Sequence, residues 1–168
     1  MKIIIIVAII ALIAYVIKTR NKFNTMRHAV QQQGSSIGIQ VEHRSQCLHD
    51  ALNIAKISYS QEVAGIEQLT AKDQLDQLAF LGQKYPALSA MSDYSQAVQK
   101  AYDLNNRITA ARELLDGNIR VYNDEITSFP GLLVANLFGY KPEKYIDEDN
   151  YEENKKLKKA NVDFAQFM

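Results

Sequence analysis

The run "IIIIVAIIALIAYVI", residues 3–17, constrains this chain more than any other feature, because almost every side chain in it is apolar. As a helix it would be about 22 Å long, somewhat short of the roughly 30 Å hydrocarbon core of a bilayer. Lys2 and Lys18 flank the run and can extend their ammonium groups to the headgroups, and Tyr15 suits the interface. The run therefore predicts a transmembrane anchor over residues 1–19.

A cleaved signal peptide is the alternative interpretation, because the length of the run also fits a signal-peptide core. Cleavage needs small residues at fixed spacing, yet Leu12 and Ile9 occupy the required positions before Ala14 and Ala11. The run also passes into "KTRNKF" without a turn residue. Both observations favour a retained anchor.

Basic residues cluster on the C-terminal side of the run and form what we call the basic collar: Lys18, Arg20, Lys22 and Arg27. Only Lys2 and the α-amine precede the run, so the positive-inside rule predicts residues 18–168 in the cytoplasm and the N-terminus outside. The collar is also expected to contact anionic headgroups, at roughly 1 kcal/mol per charge. The alternative is a topology signal without lipid specificity.

The rest of the chain has the composition of one helical domain. The 168 residues carry no net charge, which gives no argument for a nucleic-acid partner. Three prolines and abundant Ala, Leu, Gln, Lys and Glu favour helix. Cys47 is the single cysteine, which excludes an internal disulfide.

A heptad pattern extends over residues 94–129 and predicts a long helix from about Asp93 to Ser128. Its seam alternates steps of three and four through Val98, Ala101, Asn105, Ile108, Arg112, Leu115, Ile119, Tyr122, Ile126 and Phe129. Polar side chains on a seam need partners, so we expect a polar network within the bundle, with a ligand site as the alternative. The residues of this network are Asn105, Asn106, Arg107, Arg112, Tyr122 and Asn123.

Three further helices are predicted. Steps of seven through Phe23, Val30 and Ile37 resume after a four-residue shift at Val41, Leu48 and Ala55, which predicts one helix from residue 3 to between 58 and 69. "TAKD" has the capping-box form that opens a second helix, ending near Lys84, and "GQKYPALSAMS" then predicts a loop. Pro130 ends the long helix, and a short helix follows until Gly139.

These elements predict an all-α fold, in which the anchor continues into an antiparallel up-and-down bundle of about four helices over residues 20–146. If each helix reverses the direction of the chain, the segment "SFPGLLVANLFGY" lies at the end of the bundle far from the membrane. We expect it to close the core there as a distal cap, with surplus apolar surface facing a neighbouring copy. The cap residues are Phe129, Pro130, Leu132, Leu133, Leu137 and Phe138.

Residues 147–168 form a charged tail, acidic first and basic afterwards. Leu157, Phe164 and Phe167 recur at helical spacing and predict a short amphipathic helix that docks on the bundle or on a neighbour. A solvated, frayed tail is the alternative.

No pattern for catalysis or cofactor binding is present. His43 and Cys47 could share a helix face, but two such residues do not make a zinc site and no second pair accompanies them. The sequence has no glycine-rich phosphate loop, no Gly-x-Ser-x-Gly and no His-Glu-x-x-His. We therefore expect no enzymatic activity, no cofactor and no metal.

The motifs "YPALSAMSDY", "NRITAAR" and "VYNDEITSFPGLLVANLFGYKPEKYID" resemble the signature of the LemA family over about residues 1–146. Asp50 stands where the family pattern usually has proline, and the tail after Asp147 looks particular to this chain. The matching residues are Tyr85, Pro86, Leu88, Asn106, Arg107, Ile108, Ala111, Arg112, Tyr122, Asn123, Phe129, Pro130, Phe138, Gly139 and Tyr145.

The resemblance implies a helical bundle held on a bacterial inner membrane, and one branch of the family is linked to membrane shaping. The expected function is a non-catalytic scaffold that self-associates and organises or shapes that membrane, with lipids and further copies as partners. The alternative is an adaptor or sensor that binds one protein through the tail. A metal or ligand binder is the third class.

Overall fold

A computed structural model describes residues 1–145 of the protein, and the predicted tail helix lies outside this range. The described chain is all-α, as predicted, with five α-helices, one 3-10 turn at Ile66–Gln68 and no strand. The helices are α1 Lys2–Tyr59, α2 Ala71–Lys84, α3 Pro86–Ser89, α4 Ser92–Thr127 and α5 Gly131–Phe138.

The predicted helix boundaries are confirmed by their end structures. Thr70 caps α2, because its Oγ1 accepts a hydrogen bond from the Asp73 amide at 3.2 Å. Gly139 ends α5 in the left-handed region at φ 71°, which a residue without a Cβ adopts without strain. The segment after α2 was predicted to be a loop, but part of it is helical, because α3 forms within it. Pro86 stands in the first turn of α3, where its missing amide hydrogen costs nothing.

The chain packs as two compact units, which we describe separately. The first unit contains residues 1–31 and 114–145, and the second contains residues 32–113. The core of the second unit confirms the heptad positions predicted for α1 and α4. Its buried residues include Leu48, Leu52, Ala55, Val63, Leu75, Leu78, Leu81, Leu88, Tyr94 and Ala101.

In the second unit α4 is antiparallel to α1. A reversal of the chain at every helix would have made the two parallel, so that expectation is wrong. Residues 43–50 of α1 lie opposite 100–107 of α4, whereas 47–54 lie opposite 93–100. The reason is that α2 does not return the chain along α1 toward the start of that helix. Its preceding residue Glu67 pairs with Lys56, and the Tyr85 ring after it lies 4.2 Å from the Tyr59 ring, so both flanks of α2 stay at the end of α1.

Tyr94 anchors the start of α4 in the second unit. Its side chain is buried, and its hydroxyl donates to the Leu78 carbonyl of α2 at 2.5 Å. Burial raises the pKa of the Tyr94 hydroxyl to about 12 from an ordinary value of 10. The folded protein therefore holds this proton at a pH where the unfolded chain has released it.

Stability is expected to fall between pH 10 and pH 12, because over this window the unfolded chain binds fewer protons than the folded one. The full contribution of Tyr94 is about 3 kcal/mol by the conversion of the pKa shift to free energy. Urea unfolding of wild type and Tyr94→Phe across this pH range measures it. The Phe variant should lose about 1 kcal/mol at neutral pH and decline less above pH 10. Tyr102→Phe, at an exposed position on α4, should keep the wild-type decline; equal slopes in all three proteins would contradict the assignment.

In the first unit, α1 begins with an exposed apolar stretch and then enters a core. The N-terminal part of α1 is the one stretch in residues 1–145 that is long and apolar enough to cross a membrane, with a mean hydropathy of 2.4 over 18 residues. Further along α1, Phe23 is completely buried against α4 and α5. The other buried side chains of this core are Tyr122, Ile126, Val134 and Ala135.

The predicted distal cap is wrong in both place and packing. The segment lies beside residues 15–24 of its own chain, next to the apolar run, because α4 and not α2 brings the chain to this position. The apolar side chains expected to close the core are exposed instead, and Gly131, Val134 and Ala135 are the buried residues of α5. The exposed residues are Phe129, Leu132, Leu133, Leu137 and Phe138.

Candidate functional site

The candidate site is the place in the first unit where α5 lies against α1, which we call the α1–α5 junction. It comprises residues 15–24 of α1, the end of α4 and residues 128–143. Phe23 lies at its centre. The ring of Tyr140 meets the Phe23 ring edge-on, with centroids 5.3 Å apart and planes at 74°.

The turn between α4 and α5 brings the two helices very close together. The Phe129–Pro130 peptide is cis, and the Leu132 amide donates to the Ser128 carbonyl at 2.8 Å. Gly131 is buried at this turn, where a Cβ would lie 2.2 Å from the Glu125 carbonyl oxygen. Only glycine allows α5 to begin at this distance from α4.

The segment after α5 is held back against both α1 and α4 by side chains. Tyr140 Oη donates to Asn24 Oδ1 at 2.6 Å. The side chain of Asn123 pairs with the backbone of Glu143 as a neighbouring strand would. Its Nδ2 donates to the Glu143 carbonyl and its Oδ1 accepts from the Glu143 backbone N–H, both at 2.9 Å. Tyr122 Oη donates to the Lys141 carbonyl at 3.3 Å, and burial raises the pKa of this hydroxyl.

The basic collar is part of this junction. Lys22 Nζ lies 2.5 Å from a Glu125 carboxylate oxygen, and Arg27 Nε lies 3.4 Å from Glu143. The guanidinium of Arg20 lies over the ring of Phe138, 5.2 Å from its centroid. The fourth collar residue, Lys18, lines a surface cleft.

An open cleft of about 590 Å³ lies between α1 and the turn that precedes α5. Its walls combine lysine ammonium groups, two carboxylates and apolar rings, so it suits a ligand with both polar and apolar parts. The lining residues are Tyr15, Lys18, Thr19, Lys22, Asp124, Glu125, Ser128, Phe129, Pro130 and Gly131.

The predicted polar network is not one cluster. Asn105 lies in the second unit, where its Oδ1 accepts a hydrogen bond from Arg44 Nη1 at 2.7 Å. Tyr122 and Asn123 lie in the first unit and hold residues 141–143. The other predicted members contribute less to the interior, since Asn106 and Arg107 are exposed and Arg112 is half-buried.

Sequence reasoning missed Arg44, which is only 4% exposed. A signal for it was present, because Arg44 follows Val41 by three and precedes Leu48 by four, as a seam residue does. Because Arg44 is charged, a buried position was not expected for it. The structure resolves this conflict by placing Asn105 opposite it.

The predicted histidine and cysteine pair also lies in the second unit. His43, Cys47 and Asp50 line one cleft with Arg107 and Asp103. Within residues 1–145 no group of three or more His, Cys, Asp or Glu side chains is arranged to hold a metal ion.

Comparison with known proteins identifies the family. No curated protein and no solved structure matches the chain. A profile of the LemA family matches residues 12–164, so the match extends into the tail, beyond residue 146 where the recognised motifs end. The tail is therefore less particular to this chain than the motifs indicated. The match includes most of the chain, and the protein belongs to the LemA family.

Proposed function

We propose that this protein is a non-catalytic scaffold, anchored by α1, that self-associates and organises or shapes the bacterial inner membrane. The observation that carries this proposal is the course of α1 in the first unit. The helix continues without a break from the exposed apolar residues 3–17 to Phe23 and Val30, which are buried. A membrane span and a bundle core thus belong to one helix, and the anchor is joined to the bundle without a linker.

The basic collar supports a cytoplasmic bundle. Topology is set by lysine and arginine residues near the end of a span during insertion, before tertiary pairs form. The later pairing of Lys22 with Glu125 and of Arg27 with Glu143 therefore does not weaken the argument. Single-site labelling of the intact cell with a membrane-impermeant maleimide tests it: in a Cys47→Ser background, a cysteine introduced at an exposed position in residues 32–113 should react only after the inner membrane is opened.

Self-association is supported by an exposed apolar face on α4. Leu114 and Val121 are exposed by 66% and 50%, and they lie seven residues apart, on the same side of the helix. Side-by-side contact between copies would bury them. Covering two such side chains gives about 2–4 kcal/mol, which is enough to support assembly when each copy is already confined to a membrane.

Mass photometry of the full-length protein in detergent, over a dilution series, tests the proposal. The wild type is expected to form assemblies larger than a monomer. The double variant Leu114→Lys and Val121→Lys should shift them toward monomers, because lysine heads resist burial. Glu113→Lys, at the exposed position beside Leu114 in the sequence, is the control and should assemble as the wild type does. A wild type that is monomeric at every concentration would overturn self-association.

The adaptor alternative depends on Leu157, Phe164 and Phe167, which lie outside the described residues. Deletion of residues 150–168 separates the two functions. Assembly that survives this deletion, together with the loss of one bound protein, would favour the adaptor.

A further inference from the structure

The helix α5 has apolar residues on all sides but is covered on one side only. Its sequence, "GLLVANLF", contains one polar side chain, Asn136. Gly131, Val134 and Ala135 face the core of the first unit, whereas Leu133 and Leu137 are exposed by 61% and 70%. A helix that is apolar all round is normally buried on every side. The outer face of α5 therefore needs a covering that the folded chain does not supply in residues 1–145.

Both ends of α5 lie at the level where α1 would leave a bilayer. The apolar run ends at Ile17, and a hydrocarbon core of about 30 Å is crossed by about 20 helical residues, so α1 leaves the bilayer between Lys18 and Lys22. Phe129, before α5, lines the cleft that contains Tyr15, Lys18 and Lys22. Phe138, at the other end of α5, lies under Arg20.

The charges around α5 are those of a helix that lies in a membrane interface. Such helices combine a broad apolar face with lysine and arginine residues at its edge, which contact anionic headgroups. Lys18 lies near the start of α5, Arg20 lies over Phe138 at its end, and exposed Lys141 follows that end. Of the two carboxylates in the cleft, Glu125 is paired with Lys22 and Asp124 is exposed.

We infer that α5 is a second membrane attachment, which places its outer face, with Phe129, Leu133 and Leu137, in the interface of the leaflet where α1 emerges. The occupant of this face is the lipid bilayer and not a second copy of the chain, because Phe129 shares a cleft with Tyr15 of the apolar run and both ends of α5 lie beside the residues where α1 leaves the bilayer. This inference rests on the proposed anchoring by α1. It also supplies a physical route to membrane shaping, because a shallow apolar helix expands one leaflet more than the other.

Lipid-borne quenching of a single fluorophore tests the inference on the full-length protein. In a Cys47→Ser background, Leu133→Cys carries an environment-sensitive nitrobenzoxadiazole label, and the protein is reconstituted in phosphatidylethanolamine and phosphatidylglycerol vesicles. A fraction of the lipids carries a nitroxide at a shallow acyl position. The expected result is blue-shifted emission from position 133 that loses most of its intensity to the nitroxide lipid.

Two matched sites calibrate this measurement. Ile10→Cys reports whether α1 is in the bilayer, and its emission should also be lost to the nitroxide lipid. Glu113→Cys, at an exposed position about 20 Å along α4 from the end of that helix, should not be quenched by the lipid. Leu137→Cys repeats the test at a second position on the outer face of α5.

The outcomes separate this inference from the proposed function. Quenching at position 10 without quenching at positions 133 and 137 would overturn the inference and leave the anchor intact. Emission at position 133 that is blue-shifted, unquenched by nitroxide lipid and red-shifted on dilution of the protein in lipid would assign the face to a second copy. No quenching at position 10 would overturn both the membrane anchor and the attachment by α5.

Discussion

Replacing Asn105 with alanine is expected to lower the free energy of unfolding by about 2–3 kcal/mol, because it removes an acceptor from a buried cation. Asn105 Oδ1 accepts from Arg44 Nη1 at 2.7 Å, and Arg44 is 4% exposed. A guanidinium that loses a hydrogen bond in the interior recovers little from water. Urea unfolding in detergent, followed by tyrosine fluorescence, measures the change.

Two further variants separate the lost hydrogen bond from a general effect on α4. Asn106→Ala, at the exposed neighbouring position, should change stability by less than about 0.5 kcal/mol. The double variant Arg44→Met and Asn105→Leu replaces the pair with apolar side chains and should recover most of the loss. A double variant that is less stable than Asn105→Ala would contradict this account and indicate that Arg44 has a larger role in the second unit.

Replacing Gly131 with alanine is expected to cost about 3 kcal/mol and to displace α5 from the α1–α5 junction. The new Cβ would lie 2.2 Å from the Glu125 carbonyl oxygen and 3.2 Å from Phe23 Cζ. Neither neighbour can move easily, because one is the backbone of α4 and the other is a fully buried ring. Hydrogen exchange of the full-length protein should become faster in α5 and in the last turns of α4.

Gly117→Ala provides a matched control with the opposite sign. Gly117 lies within α4, and apart from the neighbouring backbone of that helix no atom lies within 4 Å of the position that its Cβ would occupy. Alanine there should stabilise the helix by about 1 kcal/mol, because glycine has the greater backbone freedom in the unfolded chain. Equal effects of the two substitutions would show that α5 is not held against Glu125 and Phe23.

Local sequence patterns predicted most of the helices. The steps of seven through Phe23, Val30 and Ile37 correspond to buried positions of one continuous helix. The capping box at Thr70 begins α2 and Gly139 ends α5, as predicted. These signals act over a few residues, between groups that are neighbours in the chain, so a sequence contains them directly.

The direction of α4 could not be obtained in the same way. It depends on residues 60–70 and on α2, whose 14 residues extend about 21 Å against about 54 Å for the 36 residues of α4. The contacts of Lys56 with Glu67 and of Tyr59 with Tyr85 keep this short helix at the end of α1. Both contacts join side chains at least 11 residues apart in the chain. The residue types involved do not predict which side chains will meet.

The sequence by itself determined that this chain is helical, which faces of α1 and α4 are buried, and that residues 3–17 are apolar enough to cross a membrane. Its periodicity also separated the seam from the surface, because burial of apolar side chains follows the helical repeat. The tertiary structure alone decided where "SFPGLLVANLFGY" lies and which of its residues face outward. That placement follows from the close approach of Gly131 to Phe23 and the contact of Tyr140 with Phe23, which join segments more than a hundred residues apart.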